Sequence, residues 1–307
     1  MNGIRTAAQT STTAFPQSRR AQAAGYWALT KPGLTGMSVG TAVTGALLAP
    51  EGWQHIDRIV AIVLGTILVG GGSVALNQYA EREYDALMQR TKRRPLPAGL
   101  LRPGQALLFG LILVLGGLLV LATLTTAAAT ALAGITIAVY VLVYTPLKRK
   151  THLATAVGGI PGALPPAIGW TAITGAISIE AYALFLAMFL WQMPHFLALG
   201  WIYRQDYVRG GYRLLTAVDP TGKVTSRIIL VFLWALLPAS VLPFFLGMSG
   251  LTFLTGVVLA WALYAVAGYG FLRNSTEKQA RVLFVRSLLY VPLFFGLFAF
   301  DYLVGLL

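Results

Sequence analysis

The hydrophobic positions of this chain are gathered in long runs that short polar segments separate. We predict nine membrane-spanning helices, near residues 33–50, 59–80, 106–123, 126–145, 155–174, 179–201, 228–247, 251–271 and 283–304. Each run can cross a hydrocarbon core of about 30 Å as a helix, since a helix rises about 1.5 Å per residue. Strands of membrane barrels are only about 10 residues long and alternate in polarity. The pattern therefore predicts an all-α, polytopic membrane helical bundle.

The composition excludes a soluble fold. Hydrophobic residues make up 57% of the 307 residues and charged residues only 11%, whereas a typical soluble domain is about 25% charged. The mean hydropathy of +0.71 excludes disorder of the whole chain. Because there is no cysteine, disulfide frameworks, Cys-ligated zinc and thiolate catalysis are excluded. Residues 1–26 are polar and small, and we expect a disordered cytoplasmic tail there, followed by one nine-helix transmembrane domain over residues 27–307.

The basic residues predict an orientation. Lysine and arginine outnumber the acids 23 to 10, for a formal net charge of +13. If the N-terminus is cytoplasmic and the nine spans alternate, every basic residue except Arg58 falls on the cytoplasmic side. We therefore expect a multi-pass protein of the cell membrane with its C-terminus outside. Because topology accounts for the excess charge, that charge does not indicate a nucleic-acid partner.

Three oxygen-bearing side chains mark the end of the second predicted span. Asn77, Glu81 and Asp85 follow one another at intervals of four residues, and such steps keep them on one face of a helix. Their oxygens suit Mg²⁺, which one or two carboxylates usually hold together with substrate phosphates. The alternative is an ordinary charged helix end, in which the acids pair with Arg82 or Arg90.

Basic residues follow these acids directly, in the segment 90–95, Arg-Thr-Lys-Arg-Arg-Pro. Beside carboxylates that hold a metal, arginine and lysine suit the oxygens of a diphosphate. Topogenic charge or contact with anionic lipid would give the same pattern. A further basic cluster at 148–150 precedes the Gly/Pro-rich segment 158–166. We expect that segment to break its helix, and broken helices at membrane depth line a cavity or are buried in protein.

A second polar group lies at the end of the sixth predicted span. Tyr203, Arg204 and Asp206 repeat the combination of an acid with an arginine. His195 lies about two turns earlier, inside the span, where an ionisable residue is a functional candidate. Three roles stay open for it: an iron ligand, a base, or a hydrogen bond to a neighbouring helix. Pro194 is expected to kink the helix there.

Together these motifs resemble a known family. The pattern Asn77-x3-Glu81-x3-Asp85, followed by Arg90 and Arg94, is similar to the first acidic motif of the UbiA-type intramembrane prenyltransferases. Within that superfamily, further segments resemble the protohaem IX farnesyltransferases, also called haem O synthases. These segments are Leu-Thr-Lys-Pro at 29–32, Tyr-Thr-Pro-Leu-Lys-Arg at 144–149, Gly-Gly-Ile-Pro-Gly-Ala-Leu-Pro-Pro at 158–166, Trp-Gln-Met-Pro-His-Phe at 191–196 and Tyr-Arg-Gln-Asp-Tyr at 203–207. The likeness extends from about residue 26 to the end of the chain.

The resemblance implies transfer of a farnesyl group from farnesyl diphosphate to the 2-vinyl group of haem B, giving haem O and diphosphate, with Mg²⁺ as the divalent cation. The metal and catalytic positions that it implies are Asn77, Glu81, Asp85 and Asp206. The diphosphate contacts that it implies are Arg90, Arg94, Lys148 and Arg204. The haem contacts that it implies are His195 and Tyr203. It also implies membrane lipid as a partner, with haem A synthase or terminal oxidase assembly factors as protein partners.

Three positions depart from the family pattern. Glu81 stands where the superfamily usually has Asp, Gly210 stands where relatives with aromatic acceptors often carry a second acid, and Gly33 stands where Arg is expected. The lack of a second acid weakens the case for two fully protein-held Mg²⁺ ions. Three alternatives stay open: a UbiA-type enzyme that prenylates an aromatic or quinone precursor, a cation-coupled transporter, and a haem-binding assembly protein.

Overall fold

The computed structural model describes residues 18–306, and every regular element in that part of the chain is a helix. The α-helices, in chain order, are α1 (Arg19–Leu29), α2 (Pro32–Leu47), α3 (Ile56–Asp85), α4 (Pro103–Leu124), α5 (Ala127–Ile137), α6 (Thr145–Leu147), α7 (Ala154–Thr174), α8 (Ile179–Ile202), α9 (Arg204–Arg209), α10 (Leu215–Val218), α11 (Lys223–Phe245), α12 (Leu251–Arg273) and α13 (Glu277–Leu306). A π-helical segment, Ala138–Tyr144, joins α5 to α6 in one rod. The all-α prediction is confirmed for the described residues.

Seven helices of the described chain are long and apolar enough to cross a membrane. They are α3, α4, the rod Ala127–Leu147, α8, α11, α12 and α13. The other two predicted spans coincide with α2 and α7. α2 has only 16 residues, which is shorter than the roughly 20 residues that cross a bilayer without thinning it. α7 is less apolar because glycines and three prolines occupy much of its length.

Helix α3 is longer than its apolar run. It continues to Asp85, five residues past the predicted end of the span at residue 80. No glycine or proline interrupts residues 73–85, and most of them are good helix formers. The helix therefore carries the polar residues at its end on the same rigid element as the membrane-spanning part.

The N-terminal segment differs in part from the predicted disordered tail, 1–26. Residues 1–17 lie outside the described residues, but the rest of that tail lies in α1. The Ser18 hydroxyl caps this helix by accepting a hydrogen bond from the Ala21 amide at 3.2 Å. Leu29 is fully buried in a small core that α1 shares with α3 and α4. Packing of this apolar end therefore orders a segment whose average polarity favours solvation.

Helix α7 contradicts the expectation of a broken helix. It remains helical through Pro161, Pro165 and Pro166. The helix packs against α2, α5 and α8, and nearly all of its second half is buried. Neighbouring side chains bind its backbone, as where the Gln192 amide donates to the Gly159 carbonyl at 2.6 Å. Prolines are tolerated in a membrane helix that protein encloses, because other groups satisfy its backbone.

Helices α2 and α7 cross at close range, and the crossing depends on glycine. A Cβ atom at Gly45 would clash with the Pro166 carbonyl oxygen, and one at Gly169 would clash with the Ala42 carbonyl oxygen. Small residues let backbones approach closely, and the resulting van der Waals contacts hold helices together in lipid. The crossing fixes the position of α2, which also packs against α3.

We expect Gly169→Ala to lower the stability of the protein, because the added methyl would push α2 away from α7 and overpacking costs about 1–3 kcal/mol. Gly134→Ala is the matched control, since Gly134 also lies inside a helix but a Cβ atom there meets nothing within 4 Å. Thermal unfolding in detergent should show a lower midpoint for the first variant alone. Equal midpoints for the two variants would contradict the close crossing.

Candidate active site

The polar residues at the end of α3 lie on one buried face. Asn77, Glu81 and Asp85 are only 2%, 5% and 0% exposed. The neighbouring Arg82 binds the exposed Glu83 at 3.1 Å, so the alternative in which Arg82 pairs with the buried acids is wrong. Two carboxylates withdrawn from water need other partners, because an unpaired buried charge is strongly unfavourable.

Residues that are distant in the sequence provide those partners. Lys148 Nζ lies 2.7 Å from Glu81 Oε1, and both side chains are about nine-tenths buried. Arg94 Nη1 lies 2.6 Å from Asp85 Oδ2. Short contacts of this kind are charge-assisted hydrogen bonds. The structure therefore brings together two of the predicted acids and two of the predicted cations.

The π-helical segment Ala138–Tyr144 prepares the position of Lys148. The Thr145 amide donates to the Tyr140 carbonyl five residues earlier, one residue more than in an α-helix. The extra residue shifts the register of the turn that follows. The Thr145 hydroxyl then accepts a hydrogen bond from the Asn77 amide at 2.9 Å. Such π-helical turns occur frequently at functional sites.

Two polar atoms of this cluster are buried without a hydrogen-bond partner among the described residues: Asp85 Oδ1 and the Tyr212 hydroxyl. Tyr212 enters from the loop after α9, and the charges of Glu81 and Lys148 act on its hydroxyl. Native structures leave few buried polar groups unsatisfied. An orphaned acceptor and an orphaned donor in one cluster indicate a place for a ligand that pairs with both.

The acids of α3 fit Mg²⁺ only in combination with a ligand. In residues 18–306 no three His, Asp or Glu side chains lie close enough together to hold a metal ion on their own. In the part of the chain that the structure describes, Asp85 does keep one buried carboxylate oxygen without a hydrogen-bond partner. Mg²⁺ is usually bound by one or two carboxylates together with substrate phosphates. The residues present therefore fit a cation that arrives with a phosphate-bearing substrate.

Asp206 stands next to the first acidic motif, but its oxygens are engaged elsewhere. Oδ2 accepts a hydrogen bond from the Arg90 amide at 3.1 Å, and Oδ1 accepts one from the Gln89 amide at 3.3 Å. Arg209 also binds Oδ1, at 3.0 Å. The carboxylate thus ties α9 to the loop after α3. The structure does not group it with Glu81 and Asp85 as a third ligand.

The other two predicted basic residues lie outside the buried cluster. The Arg90 guanidinium lies over the ring of Tyr203, 5.2 Å from its centroid. The Arg204 guanidinium lies over the Trp201 indole at 4.3 Å. Within the described chain neither forms an ion pair with an acid of α3. Both are held by cation–π contact, which keeps a guanidinium in place at a partly exposed position.

His195 lies in α8, away from the paired acids. Its ring is stacked between Trp191 and Phe284, with centroids 5.2 and 4.8 Å away. Its Nδ1 lies 2.8 Å from the Ser287 hydroxyl oxygen. Of the three open roles, the structure shows the hydrogen bond to a neighbouring helix, and Nε2 has no partner among the described residues.

Two residues of the cluster are missing from the sequence prediction. Tyr212 carries no motif, and the charge pattern counts Lys31 only toward topology. Lys31 has a φ of 43°, a left-handed conformation that is unfavourable for lysine and that clusters at functional sites. Burial, followed by the charges of Arg94 and Lys148, lowers the pKa of Lys31 to about 7. The available sequence signal for Lys31 is the segment Leu-Thr-Lys-Pro at 29–32, one of the segments that resemble the family.

We expect Lys148→Met to destabilise the protein by about 3–5 kcal/mol, because the change leaves the Glu81 carboxylate buried without a cation. Thermal unfolding of the detergent-solubilised protein would measure the loss. The double variant Lys148→Met/Glu81→Gln should recover much of it, since no buried charge then remains.

The control for this change is Arg281→Met, which removes the cation of the exposed Arg281–Glu277 pair. Exposed pairs contribute at most about 1 kcal/mol, so its unfolding midpoint should stay near that of the wild type. Similar losses for the two variants would mean that burial does not set the strength of these pairs.

Sequence comparison places this architecture in a family. The model of the UbiA prenyltransferase family matches residues 38–297. The chain is similar to a protein named protoheme IX farnesyltransferase from Solibacter usitatus, with 40% identity over 285 residues that cover 90% of this chain and 98% of that protein. A protein of the same name from Parvibaculum lavamentivorans is 36% identical, covering 97% of this chain and 95% of its own length.

Solved structures share the fold at lower identity. One is described as digeranylgeranylglyceryl phosphate synthase; it has a TM-score of 0.75 at 17% identity and covers 91% of this chain and 98% of that chain. Another is a UbiA homolog from Archaeoglobus fulgidus bound to DMAPP and Mg²⁺, with a TM-score of 0.62 at 14% identity and coverage of 89% and 99%. The chain belongs to the UbiA prenyltransferase family, in the group of the protoheme IX farnesyltransferases.

Proposed function

We propose that this chain transfers a farnesyl group from farnesyl diphosphate to the 2-vinyl group of haem B, giving haem O and diphosphate. The observation that carries the proposal is the buried cluster at the end of α3, in which two carboxylates pair with Lys148 and Arg94 and in which Asp85 Oδ1 has no hydrogen-bond partner among the described residues. The relatives, which are named protoheme IX farnesyltransferase, support haem B as the acceptor.

The residues of the cluster stabilise the leaving group. The bond between C1 of the farnesyl chain and the diphosphate oxygen breaks, and its electron pair leaves with the diphosphate. Arg94 and Lys148, and Lys31 when it is protonated, offset the negative charge that develops there, and fixed charges in a dry site act most strongly on the transition state. The vinyl electrons of haem B form the new C–C bond. A water oxygen then adds to the vinyl carbon beside the ring, and a proton is released.

The metal positions of the proposal are Asn77, Glu81 and Asp85. Mg²⁺, when bound, neutralises charge on the diphosphate oxygens. Glu81 and Asp85 would hold it through carboxylate oxygens, and Asn77 through the carbonyl oxygen of an amide whose nitrogen binds Thr145. We give Asp206 a positioning role, because its carboxylate holds the backbone of the loop that leads to the basic residues.

Aromatic side chains keep water from the reacting carbon. An allylic cation reacts with water, so the pocket has to stay dry until the C–C bond forms. Tyr144, Tyr207 and Tyr212 pack around the cluster with Met88. Their rings present apolar faces to the prenyl chain, and Arg90 and Arg204 stay at the rim, where we propose that they attract the incoming diphosphate.

We propose haem contacts at His195 and Tyr203. A ligating histidine usually has its other ring nitrogen fixed by a hydrogen bond, and Ser287 does this for Nδ1 of His195. That arrangement leaves Nε2 for the haem iron. Tyr203 lies beneath Arg90, and we place it at the end of the haem pocket that opens toward the rim.

We further propose the finer membrane arrangement. Residues 27–307 form one prenyltransferase domain of nine transmembrane helices, the seven apolar ones together with α2 and α7. The N-terminus is cytoplasmic, the C-terminus is outside, and the site faces the cytoplasm from the cell membrane. Membrane lipid surrounds the bundle, and haem A synthase or terminal oxidase assembly factors receive the product.

The proposed activity predicts a specific product. Membranes that contain the wild-type chain should convert haem B to haem O when farnesyl diphosphate and Mg²⁺ are supplied, as seen by chromatographic separation of the haems. Asp85→Asn should lower the rate by roughly 100-fold or more, because loss of one electrostatic stabiliser has an effect of that size. Glu83→Gln, an exposed acid two residues away, is the matched control and should retain activity.

Two outcomes would count against this proposal. Full activity of Asp85→Asn at equal expression would remove the metal assignment. A wild-type chain that makes no haem O but prenylates an aromatic acid in the same assay would identify the quinone-type alternative as the function.

The proposed orientation also predicts labelling from one side. The chain contains no cysteine, so single cysteines can be introduced at Lys150 and Ala176, which are both exposed. A membrane-impermeant maleimide should label Ala176→Cys in intact cells and Lys150→Cys only in inverted vesicles. Labelling of both variants from the same side would refute alternation of the spans between them.

A further inference from the structure

Tyr212 is the member of the cluster for which no family motif provides a role. It is only 5% exposed, and within residues 18–306 its hydroxyl has no hydrogen-bond partner. Its ring meets Tyr84 and Tyr207 edge-on, with centroids 6.4 and 5.9 Å apart. Lys148 Nζ lies 5.9 Å from the centroid of the ring. Two rings and an ammonium group therefore hold the ring in one position.

The backbone on both sides of the ring is fixed as well. The Tyr212 amide donates to the Tyr207 carbonyl at 2.9 Å, and the next amide, of Arg213, donates to the Lys148 carbonyl at 2.9 Å. The first bond closes the loop on itself. The second ties the loop to the residue that pairs with Glu81. A hydroxyl carried on such a loop is preorganised, so little entropy is lost when it binds a ligand.

Gly210 makes room for this ring. A Cβ atom at Gly210 would lie 3.0 Å from the ring of Tyr212 and 3.1 Å from the Met88 side chain, which is tighter than ordinary packing. A side chain at 210 would therefore crowd the Tyr212 ring and the Met88 side chain, which would have to shift by a few tenths of an ångström. The glycine that departs from the family pattern therefore lies directly against the ring of the buried phenol, and the two residues belong to one packing arrangement.

The hydroxyl lies in a field of four charges, those of Glu81, Lys148, Asp85 and Arg94. Burial, followed by the charge of Glu81, raises the pKa of Tyr212, so the phenol keeps its proton and can act as a donor. A buried donor without an acceptor is unfavourable. It is retained where a ligand brings the acceptor.

We propose that Tyr212 is a further catalytic residue of the transfer, whose hydroxyl donates a hydrogen bond to an oxygen of the leaving diphosphate. The inference rests on the proposed function for the identity of this anion. Asp85 Oδ1 is an orphaned acceptor and suits a cation, and the Tyr212 hydroxyl is an orphaned donor and suits an anion. A second carboxylate, as at position 210 of some relatives, carries the same sign of charge as the phosphate and would need a second cation between them. A phenol can donate a hydrogen bond to the phosphate directly.

The test compares Tyr212→Phe with Tyr84→Phe in the purified full-length chain. The change at Tyr212 removes one oxygen and keeps the ring. The hydroxyl of Tyr84 is already bound by Arg149 and lies in the same aromatic cluster, so its loss is the matched control. Calorimetry with Mg²⁺ and the non-reacting analogue farnesyl thiodiphosphate would measure binding without haem, and the haem O assay would give kcat and the KM for haem.

For Tyr212→Phe we expect the affinity for the analogue to fall roughly tenfold and kcat to fall roughly ten- to one-hundredfold, the range for a hydrogen bond to a charged acceptor. The KM for haem should not change. The unfolding midpoint without ligand should stay equal or rise, because an unsatisfied buried group has been removed. A residue with only a structural role would instead lower the midpoint and leave the affinity of the folded protein unchanged.

Unchanged affinity and unchanged kcat in a folded Tyr212→Phe variant would overturn the proposal, as would an equal loss in Tyr84→Phe. If Tyr212→Phe folds poorly, the shift of the unfolding midpoint on adding Mg²⁺ and inorganic diphosphate still decides, since it should be smaller than in the wild type. A wild-type chain that binds the analogue but makes no haem O would refute the proposed acceptor and leave the Tyr212 assignment standing.

Discussion

The burial of two carboxylates at the end of α3 is the constraint on which the rest of the site depends. Glu81 and Asp85 are almost fully withdrawn from water, so each requires a cation in direct contact. Those cations come from two different elements, Lys148 from the end of the rod and Arg94 from the loop after α3. The ion pairs therefore dictate how the rod, the loop and α3 lie relative to one another.

The sequence predicts the helices and the local spacing of the acids, but it does not predict which distant residues pair with them in the folded chain. The apolar runs indicate the helices, and the spacing of Asn77, Glu81 and Asp85 places them on one face, because both signals lie within a few turns. Arg94 and Arg204 look equivalent in the sequence, yet one pairs with Asp85 and the other stacks on Trp201. Composition also misleads where packing overrides it: α1 is ordered by burial of its end, and α7 stays helical because protein surrounds it.

The strained start of α2 belongs to the same arrangement. Lys31 adopts a left-handed conformation, and its pKa is lowered by burial and then by the charges of Arg94 and Lys148. The Gln78 amide binds the Leu29 carbonyl at 2.7 Å, which ties the turn before α2 to α3 next to the acidic face. The glycine crossing with α7 holds the rest of α2. Rigid contacts on both sides thus maintain a backbone conformation that a free turn would relax.

The internal pairs and a metal–diphosphate complex are alternative solutions to one electrostatic problem. Each carboxylate needs positive charge, which Lys148 and Arg94 provide from within the chain and which Mg²⁺ provides when a diphosphate brings it. If a metal–diphosphate complex binds here as proposed, Glu81 and Asp85 would supply carboxylate oxygens to the metal, and Lys148 and Arg94 would become available to the phosphate oxygens. A cation that enters this cluster therefore has to bring its own anion, because Glu81 and Asp85 already have Lys148 and Arg94 in contact.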